Sequence, residues 1–329
     1  MLRRVPRRLR SAVALAALLA VTSTGCSTAV SPPDPGAGPS RGDGSIARDV
    51  DLTGAHFAVG SKEFTEQVIL GKIMIHALRA AGADTTDHTG LSGSTLARNA
   101  LQSGEIDMYW EYAGTGWSQF LQHDQPVRGS QEQYRATAAE DAARNGIDWL
   151  GPAKFGNQYA IARAGDAEGA VGEVDSLADL KSFAAKHPDQ MTLCGASEFL
   201  DRELQPFQDA YGVRIPPTQV YQNAFALNFV NVAKSSPCNF AEVFTTDARL
   251  KTLGLTVLRD DKVHFSTELA ALTVREETTR QHPGVRDLAQ RIGAALTEET
   301  MIELNGMVDL KGMTPDQAAL RFLRSRGFV

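Results

Sequence analysis

One short stretch of the chain concentrates aromatic residues whose spacing suits ligand binding. Residues 107–117 read DMYWEYAGTGW. If this stretch is extended, Trp110 and Tyr112 point to one face, and Tyr109 and Glu111 point to the other. Because ligands of open α/β sheets bind at the carboxyl ends of strands, the pair before the glycines is positioned for binding. The alternative interpretation is that these rings only fill the core.

The common enzyme motifs are missing from the sequence. It has no Walker A loop, no His-Glu-x-x-His, no Cys-x-x-Cys, no Gly-x-Ser-x-Gly and no Gly-x-Gly-x-x-Gly, and its seven histidines are scattered singly. We therefore predict a protein that is not an enzyme and that binds no metal or cofactor. A hydrolase outside the cytoplasm, with a site built from residues distant in sequence, is the alternative class.

The first 25 residues predict a secretory signal. They hold five arginines and no acid, and their apolar run at residues 12–21 is too short to cross a bilayer. Small residues at 23–25 precede Cys26, which is typical of lipoprotein signals that are cut before an acylated cysteine. We predict a lipid on Cys26 that anchors the protein to the outer face of the cell membrane. An ordinary signal peptide is the alternative.

Charge and cysteine content restrict the partners and the redox state. Without the predicted signal, the chain has 28 basic and 39 acidic residues, a formal charge of −11, which disfavours nucleic acid as a partner. In an oxidising compartment, the two remaining cysteines, Cys194 and Cys238, are predicted to form a disulfide. Two separate buried thiols are the alternative.

The elements that must position these residues alternate between short apolar runs and longer amphipathic ones, as strands followed by helices do. The predicted strands are residues 55–60, 106–109, 159–163, 191–194, 255–258 and 269–274. The predicted helices are residues 65–81, 96–102, 135–145, 177–186, 199–211, 285–296, 298–308 and 315–324. The sequence therefore predicts an α/β protein.

The length of the chain predicts two lobes, because single cores stop growing at about 250–300 residues. We place the first lobe at residues 51–158 and 260–329 and the second at residues 159–259. Residues 26–50 are rich in Pro, Gly and Ser and are predicted to be a flexible tether.

Several motifs together resemble the substrate-binding lipoproteins of osmoprotectant ABC importers, over nearly all of residues 55–329. The matching motifs are GSKEFTEQVILG at 60–71, GS at 93–94, ALQSGEID at 100–107, YWEYAGTG at 109–116, NQYA at 157–160, VFTTDAR at 243–249, DDK at 260–262, LN at 304–305 and VD at 308–309. The resemblance implies a type II periplasmic-binding-protein fold, with two α/β lobes, a two-strand hinge and a ligand cleft between the lobes.

The resemblance also implies a function and its partners. The family captures glycine betaine, choline, carnitine or a similar quaternary ammonium compound and delivers it to the permease subunits of an ABC importer. On this basis we expect a monomer outside the cytoplasm that binds without catalysis. A binding protein of the same fold for a different small solute is the alternative, because Phe244 and residues 221–237 and 265–269 depart from the family pattern.

An aromatic cage is the binding device that the resemblance implies. A quaternary ammonium group cannot donate a hydrogen bond, so ring faces hold it, at about 0.5–2 kcal/mol per ring. Tyr112 and Tyr159 match cage tyrosines of the family, and Phe244 lies where many relatives have a tyrosine. For a fourth ring, we favour Tyr221 or Phe229.

Phe225 is a further alternative for that fourth ring, because residues 221–237 depart from the family spacing. The candidate polar contacts to the ligand are Gln67, Asp107 and Thr115. Each has a structural alternative: capping or packing within its helix for Gln67, tying down the adjacent strand for Asp107, and capping the following helix for Thr115.

Overall fold

The computed structural model describes residues 43–265 and 269–329. The predicted signal peptide, the lipid attachment at Cys26 and most of the predicted tether lie outside the described residues. The strands are β1 His56–Lys62, β2 Asp84–Leu91, β3 Met108–Tyr112, β4 Ile147–Leu150, β5 Tyr159–Ala164, β6 Leu193–Gly195, β7 Val220–Gln222, β8 Phe240–Phe244, β9 Leu255–Val257 and β10 Ala270–Arg275.

The helices connect these strands and cover the faces of the sheets. They are α1 Ser45–Asp49, α2 Thr65–Ala80, α3 Gly93–Ser103, α4 Ala113–Thr115, α5 Ser130–Asn145, α6 Gly169–Gly172, α7 Asp179–Lys186, α8 Ser197–Arg202, α9 Leu204–Tyr211, α10 Phe225–Ala233, α11 Arg249–Thr252, α12 Glu276–Gln281, α13 Gly284–Ala295, α14 Glu298–Asp309 and α15 Pro315–Ser325. A π-helical turn, Gly116–Phe120, extends α4.

The strands form two five-stranded sheets with the same pattern of pairing. The first has the order β2-β1-β3-β10-β4, and the second has the order β7-β6-β8-β5-β9. In each sheet four strands run in the same direction, and the fifth, β10 or β5, crosses from the other part of the molecule and pairs antiparallel with its two neighbours. We call the parts built on these sheets lobe 1 and lobe 2. The predicted α/β class and periplasmic-binding-protein fold are confirmed.

The chain passes between the sheets twice, between β4 and β5 and between β9 and β10. The second crossing returns the chain to the first sheet beside its central strand β3, where Ala270 lies opposite Tyr112. Because both crossings enter at strands next to the sheet centres, the ends of β3, β5, β8 and β10 are brought near each other.

Lobe 1 has a core between its sheet and helix α2. Helix α2 buries apolar residues three and four positions apart, including Ile69, Ile73 and Ala77, so one continuous face packs on the sheet. Phe57 and Trp110 of the sheet are almost fully buried in the same cluster. Lobe 2 has its own core, centred on Phe199, Phe207 and Phe240.

The predicted tether extends too far. Residues 45–49 form helix α1, whose Ile46 is fully buried, and the Ser45 amide donates a hydrogen bond to the Gly327 carbonyl at 2.9 Å. The prediction to residue 50 is wrong at its end, because Ile46 and Val50 provide apolar surface that packs in the core of lobe 1.

Among the other departures from the predicted elements, two have local causes. Strand β2 was not predicted, because its sequence DTTDHTGL has no alternating apolar residues; it lies at an edge and pairs only with β1. The predicted helix over residues 199–211 is instead two helices, α8 and α9, with Glu203 between them.

The predicted disulfide is confirmed. Cys194 and Cys238 are bonded, with their Cα atoms 5.7 Å apart, and both are fully buried. Their bond joins β6 to the segment that enters β8. Among the residues that the structure describes, no helix has the length and apolar character needed to span a membrane.

Candidate functional site

A cleft of about 240 Å³ lies between the two lobes, where strand ends from both sheets meet. Lobe 1 contributes β1 and β3, and lobe 2 contributes β5, β8 and the N-terminal ends of α8 and α10. Its lining includes Lys62, Phe64, Ser94, Tyr112, Thr115, Asn157, Tyr159, Glu198, Arg202, Phe225, Glu242 and Phe244. The lining thus combines aromatic rings with charges of both signs.

Five of these residues form a continuous cluster of rings. Phe244 is at its centre, with ring centroids 5.0 Å from Tyr159, 4.6 Å from Phe225 and 5.3 Å from Phe64. Phe64 in turn stacks on Tyr112, with centroids 6.4 Å apart. We call this set, Phe64, Tyr112, Tyr159, Phe225 and Phe244, the ring cluster.

Strand register explains why the lobe 2 rings meet. Tyr159 at the start of β5 lies directly opposite Phe244 at the end of β8 in an antiparallel pair. Side chains that are opposite each other in such a pair lie on one face and contact each other. Phe225 reaches the same place because it is the first residue of α10.

Lys62 is the cationic residue of the lobe 1 wall. Its Nζ lies 4.9 Å from the centroid of the Tyr112 ring, and it donates hydrogen bonds to Glu111 at 2.7 Å and Ser94 at 3.1 Å. Lys62 is 3% exposed and Glu111 is fully buried, so the two form a buried ion pair. An ammonium group has three protons, which leaves Lys62 one further donor for a ligand.

Lobe 2 brings two acids to the cleft. Glu198 accepts a hydrogen bond from Arg202 at 2.9 Å. Burial alone would raise the pKa of Glu198, but the charges of Lys62 and Arg202 and its hydrogen bonds bring it below the usual value. Burial raises the pKa of Glu242, the second acid, to about 8.

A buried network beside the ring cluster connects the lobes. Glu66 of α2 accepts hydrogen bonds from the Tyr112 hydroxyl at 2.7 Å, the Thr246 hydroxyl at 2.7 Å and the Asn305 amide at 3.0 Å. Burial raises the pKa of Glu66, although these three bonds lower it. Since Thr246 follows β8 of lobe 2, this network joins lobe 2 to α2 and α14 of lobe 1.

A second cavity of about 240 Å³ lies on the far side of the rings. It shares Phe64, Phe225 and Phe244 with the cleft, and its other wall is polar, with the ion pair between Asp247 and Arg249. The three rings therefore separate an aromatic and charged cleft from a polar cavity.

The structure brings four of the predicted site residues together. Tyr112, Thr115, Tyr159 and Phe244 all line the cleft. Burial, followed by the nearby Glu66 carboxylate, raises the pKa of Tyr112 well above its usual value, so its hydroxyl stays a hydrogen-bond donor.

The two favoured candidates for the fourth ring lie elsewhere. Phe229 is fully buried beneath β5 and β8, with the Arg249 guanidinium 4.1 Å from its ring centroid. Tyr221 packs beside the disulfide. Phe225, the remaining alternative, lines the cleft. Phe225 and Phe229 lie on the same face of α10, with ring centroids 5.2 Å apart, but only Phe225, at the first position of the helix, is close enough to the strand ends to reach the cleft.

Gln67 and Asp107 also lie outside the cleft lining. Gln67 is fully buried, and its Oε1 accepts a hydrogen bond from the Lys62 backbone amide at 3.3 Å. Asp107 forms an ion pair with Arg275 and accepts a bond from the Ala58 amide at 2.8 Å. Both side chains hold lobe 1 strands in place, which is the structural alternative considered for Asp107, whereas the Gln67 bond goes to β1 rather than staying within its helix.

Sequence reasoning missed several residues of the cleft. Phe64 and Lys62 lie in the motif at 60–71 but were not singled out, although an aromatic and a cation next to a strand end were a usable signal. Glu198 and Glu242 had no comparable signal, because only the fold places them beside the rings.

Comparisons with known proteins agree with this geometry. A family model described as the substrate binding domain of ABC-type glycine betaine transport system matches residues 56–325. The glycine-betaine-binding protein of Pseudomonas aeruginosa is 35% identical over 273 residues, covering 81% of this chain and 86% of that protein. The glycine betaine-binding protein YehZ of Escherichia coli is 29% identical over 278 residues, covering 82% of this chain and 90% of YehZ.

A solved structure extends the likeness to three dimensions. The structure of apo YehZ from Escherichia coli has a TM-score of 0.61 to this chain at 29% identity, and covers 83% of this chain and 99% of its own. The family inferred from the sequence motifs is thereby confirmed. This chain belongs to the family of substrate-binding domains of ABC-type glycine betaine transport systems.

Proposed function

We propose that this protein captures a small quaternary ammonium solute in the cleft between its lobes and delivers it to an ABC permease. The observation that carries the proposal is the ring cluster, because ring faces are what a charged group without hydrogen-bond donors requires. The names of the relatives support the same ligand class, since two of them are glycine betaine-binding proteins.

The arrangement of charges suggests how a zwitterion would lie in the cleft. Lys62 already covers the Tyr112 ring, so the ligand's ammonium group is placed against Tyr159, Phe225 and Phe244 instead. A carboxylate on the ligand would then meet the remaining donor of Lys62. The ligand would bridge the two lobes and favour their closed arrangement, which is the state a permease would read.

The cellular setting belongs to the same proposal. A signal peptide at residues 1–25 and a lipid on Cys26 would hold a monomer at the outer face of the cell membrane. The chain between Cys26 and α1 would allow the folded part to meet the permease repeatedly at high effective concentration. In this role the protein performs no catalysis.

Calorimetric titration tests the proposal. The purified protein is titrated with glycine betaine, choline, carnitine and proline betaine, and the titration is repeated on Tyr159→Ala and Tyr159→Phe. We expect micromolar binding of at least one of these solutes, a free energy of about −8 kcal/mol. Tyr159→Ala should weaken it by about 5- to 30-fold, since one cation–π contact is lost.

Tyr159→Phe is the matched control, because the ring remains and, within the described part of the chain, the Tyr159 hydroxyl makes no hydrogen bond. We expect it to keep affinity within a few-fold of the wild type. Equal loss in both variants would contradict a role for the ring face. Absence of heat with every solute, from a folded sample, would move this protein to another ligand class.

A further inference from the structure

Glu242 is a buried acid in the wall of the cleft. It is 1% exposed and lies on β8, two residues before Phe244. Its Oε2 accepts hydrogen bonds from the Ala196 backbone amide at 2.6 Å and the Asn228 side-chain amide at 3.2 Å. Within the described residues Oε1 accepts none, so this oxygen is the one available to a proton or a ligand.

The charge of Glu242 has no cationic partner within 4.0 Å among the residues that the structure describes, whereas Glu111 pairs with Lys62 and Glu198 with Arg202. Both of those acids have their own cation. The ionisable neighbours that raise the pKa of Glu242, after burial itself, are also acids, Glu198 and Glu203.

Four side chains act on Glu242: Glu198 and Glu203 from the α8 region, Asn228 from α10 and Tyr159 from β5. The other charged residues of the cleft lining are Arg202 from α8 and Lys62 and Glu63 from lobe 1. The two cations in this set already pair with other acids. With its pKa at about 8, Glu242 holds its proton in the empty cleft at neutral pH.

A bound ammonium group would change the protonation state of Glu242. Placed against Tyr159, Phe225 and Phe244, it would bring a full positive charge beside Glu242 in a site that excludes water. A nearby cation favours the ionised form of a carboxyl group, so it lowers the pKa. A group whose pKa falls on ligand binding releases its proton when the pH lies between its pKa in the ligand-bound protein and its pKa in the free protein.

We propose that Glu242 is the counter-charge of the ligand's ammonium group, and that capture of the ligand expels a proton from this side chain. The inference rests on the proposed function. It identifies a cation as the part of the ligand that the lobe 2 wall recognises. It also makes affinity depend on pH, with binding that strengthens as the pH rises and levels off once Glu242 is ionised in the free protein.

Calorimetry with choline tests the proposal, because choline carries the ammonium group and no group that titrates near neutral pH. Titrations at neutral pH in phosphate and in Tris, whose ionisation heats differ, count the protons released. We expect close to one proton per choline bound. Between about pH 6 and pH 8 the dissociation constant should fall by up to about tenfold per pH unit.

Two variants separate Glu242 from the other acid of the cleft. Glu242→Gln should release no proton and bind choline with an affinity that does not vary over this pH range. Glu198→Gln is the matched control: it also removes an acid from the cleft, yet choline binding should still release a proton, since Glu198 is itself ionised when the cleft is empty. The pH range of the release should move downward in this variant, because Glu198 no longer raises the pKa of Glu242. Thermal melts establish that each variant is folded.

The outcomes are distinguishable. Choline binding by the wild type with the same heat in both buffers would overturn the role of Glu242 and leave the proposed function intact. Proton release that persists in Glu242→Gln would also overturn it. Absence of binding for choline, glycine betaine and carnitine at every pH would overturn the proposed function, and the inference with it.

Discussion

Lys62 determines which rings are open to a ligand. Its Nζ lies 4.9 Å from the Tyr112 ring centroid and is fixed by Glu111 and Ser94, so the protein places its own cation on the ring of lobe 1. A second cation against the same ring would be repelled. In the proposed function the rings of lobe 2 therefore form the ammonium site, and Tyr112 contributes mainly through the hydrogen bond of its hydroxyl to Glu66.

The raised pKa of Glu242 predicts a pH dependence of folding that needs no ligand. Its pKa is about 8 in the folded protein against an ordinary value of 4.5, so the folded state binds the extra proton. The stability that this proton provides is complete below about pH 4.5 and is lost progressively as the pH rises to about 8. In that range the slope is at most about 1.4 kcal/mol per pH unit.

Urea unfolding of the wild type and Glu242→Gln at several pH values measures this effect. The free energy of unfolding of the wild type should fall more steeply with pH than that of the variant, and the two curves should run parallel above about pH 9. Parallel curves across the whole range would show that Glu242 titrates in the folded protein as it does in the unfolded chain.

Cleft residues that stand in a sequence motif could be predicted, whereas cleft residues that only the fold brings together could not. Tyr112, Tyr159 and Phe244 were identified because each stands in a motif of the family. Tyr221 and Phe229 were favoured over Phe225 in a stretch, residues 221–237, that departs from the family spacing, and the helix α10 that begins at Phe225 and brings this ring to the cleft was not predicted. Glu242 was missed for lack of any local pattern.

At the scale of elements, the cleft is a product of strand register. The pairing of Tyr159 with Phe244 and of Tyr112 with Ala270 places the ends of β5, β8 and β3 at one place. Strongly periodic helices such as α2 and α13 were predicted within a residue or two at their ends. Strand β2 was not, because an edge strand is specified by its backbone pairing more than by apolar alternation.

The disulfide links two elements of lobe 2, and its contribution to the free energy of unfolding can be measured. It joins residues 44 apart in sequence, so it closes a long loop in the unfolded chain. In the chain-entropy treatment such a loop is worth about 3–4 kcal/mol. We expect the double variant Cys194→Ala, Cys238→Ala to lose about this much free energy of unfolding in a urea titration.

Reduction of the wild type provides the control, because it breaks the same bond without removing the sulfur atoms. Urea unfolding in the presence of a reductant should show a similar loss, and the reductant should not change the double variant. A double variant as stable as the oxidised wild type would mean that the bond does not constrain the unfolded chain.

At the scale of the whole molecule, two similar sheets are joined by two crossings and by the hydrogen bonds around Glu66. Thr246 of lobe 2 and Asn305 of α14 both donate to this carboxylate, next to the ring cluster. The contact between the lobes is thus built from the same segments as the ligand cleft, since Phe244 is two residues before Thr246 and Phe64 is two residues before Glu66. Ligand binding and lobe closure are expected to be coupled for that reason.

The central claim is that a quaternary ammonium group binds in this cleft against the rings of lobe 2. A crystal structure of the protein with choline tests it most directly. The account predicts the ammonium group within about 6 Å of the ring centroids of Tyr159, Phe225 and Phe244, beside Glu242, with Lys62 still on Tyr112. Choline bound outside the cleft, or on the Tyr112 ring with Lys62 displaced, would contradict it.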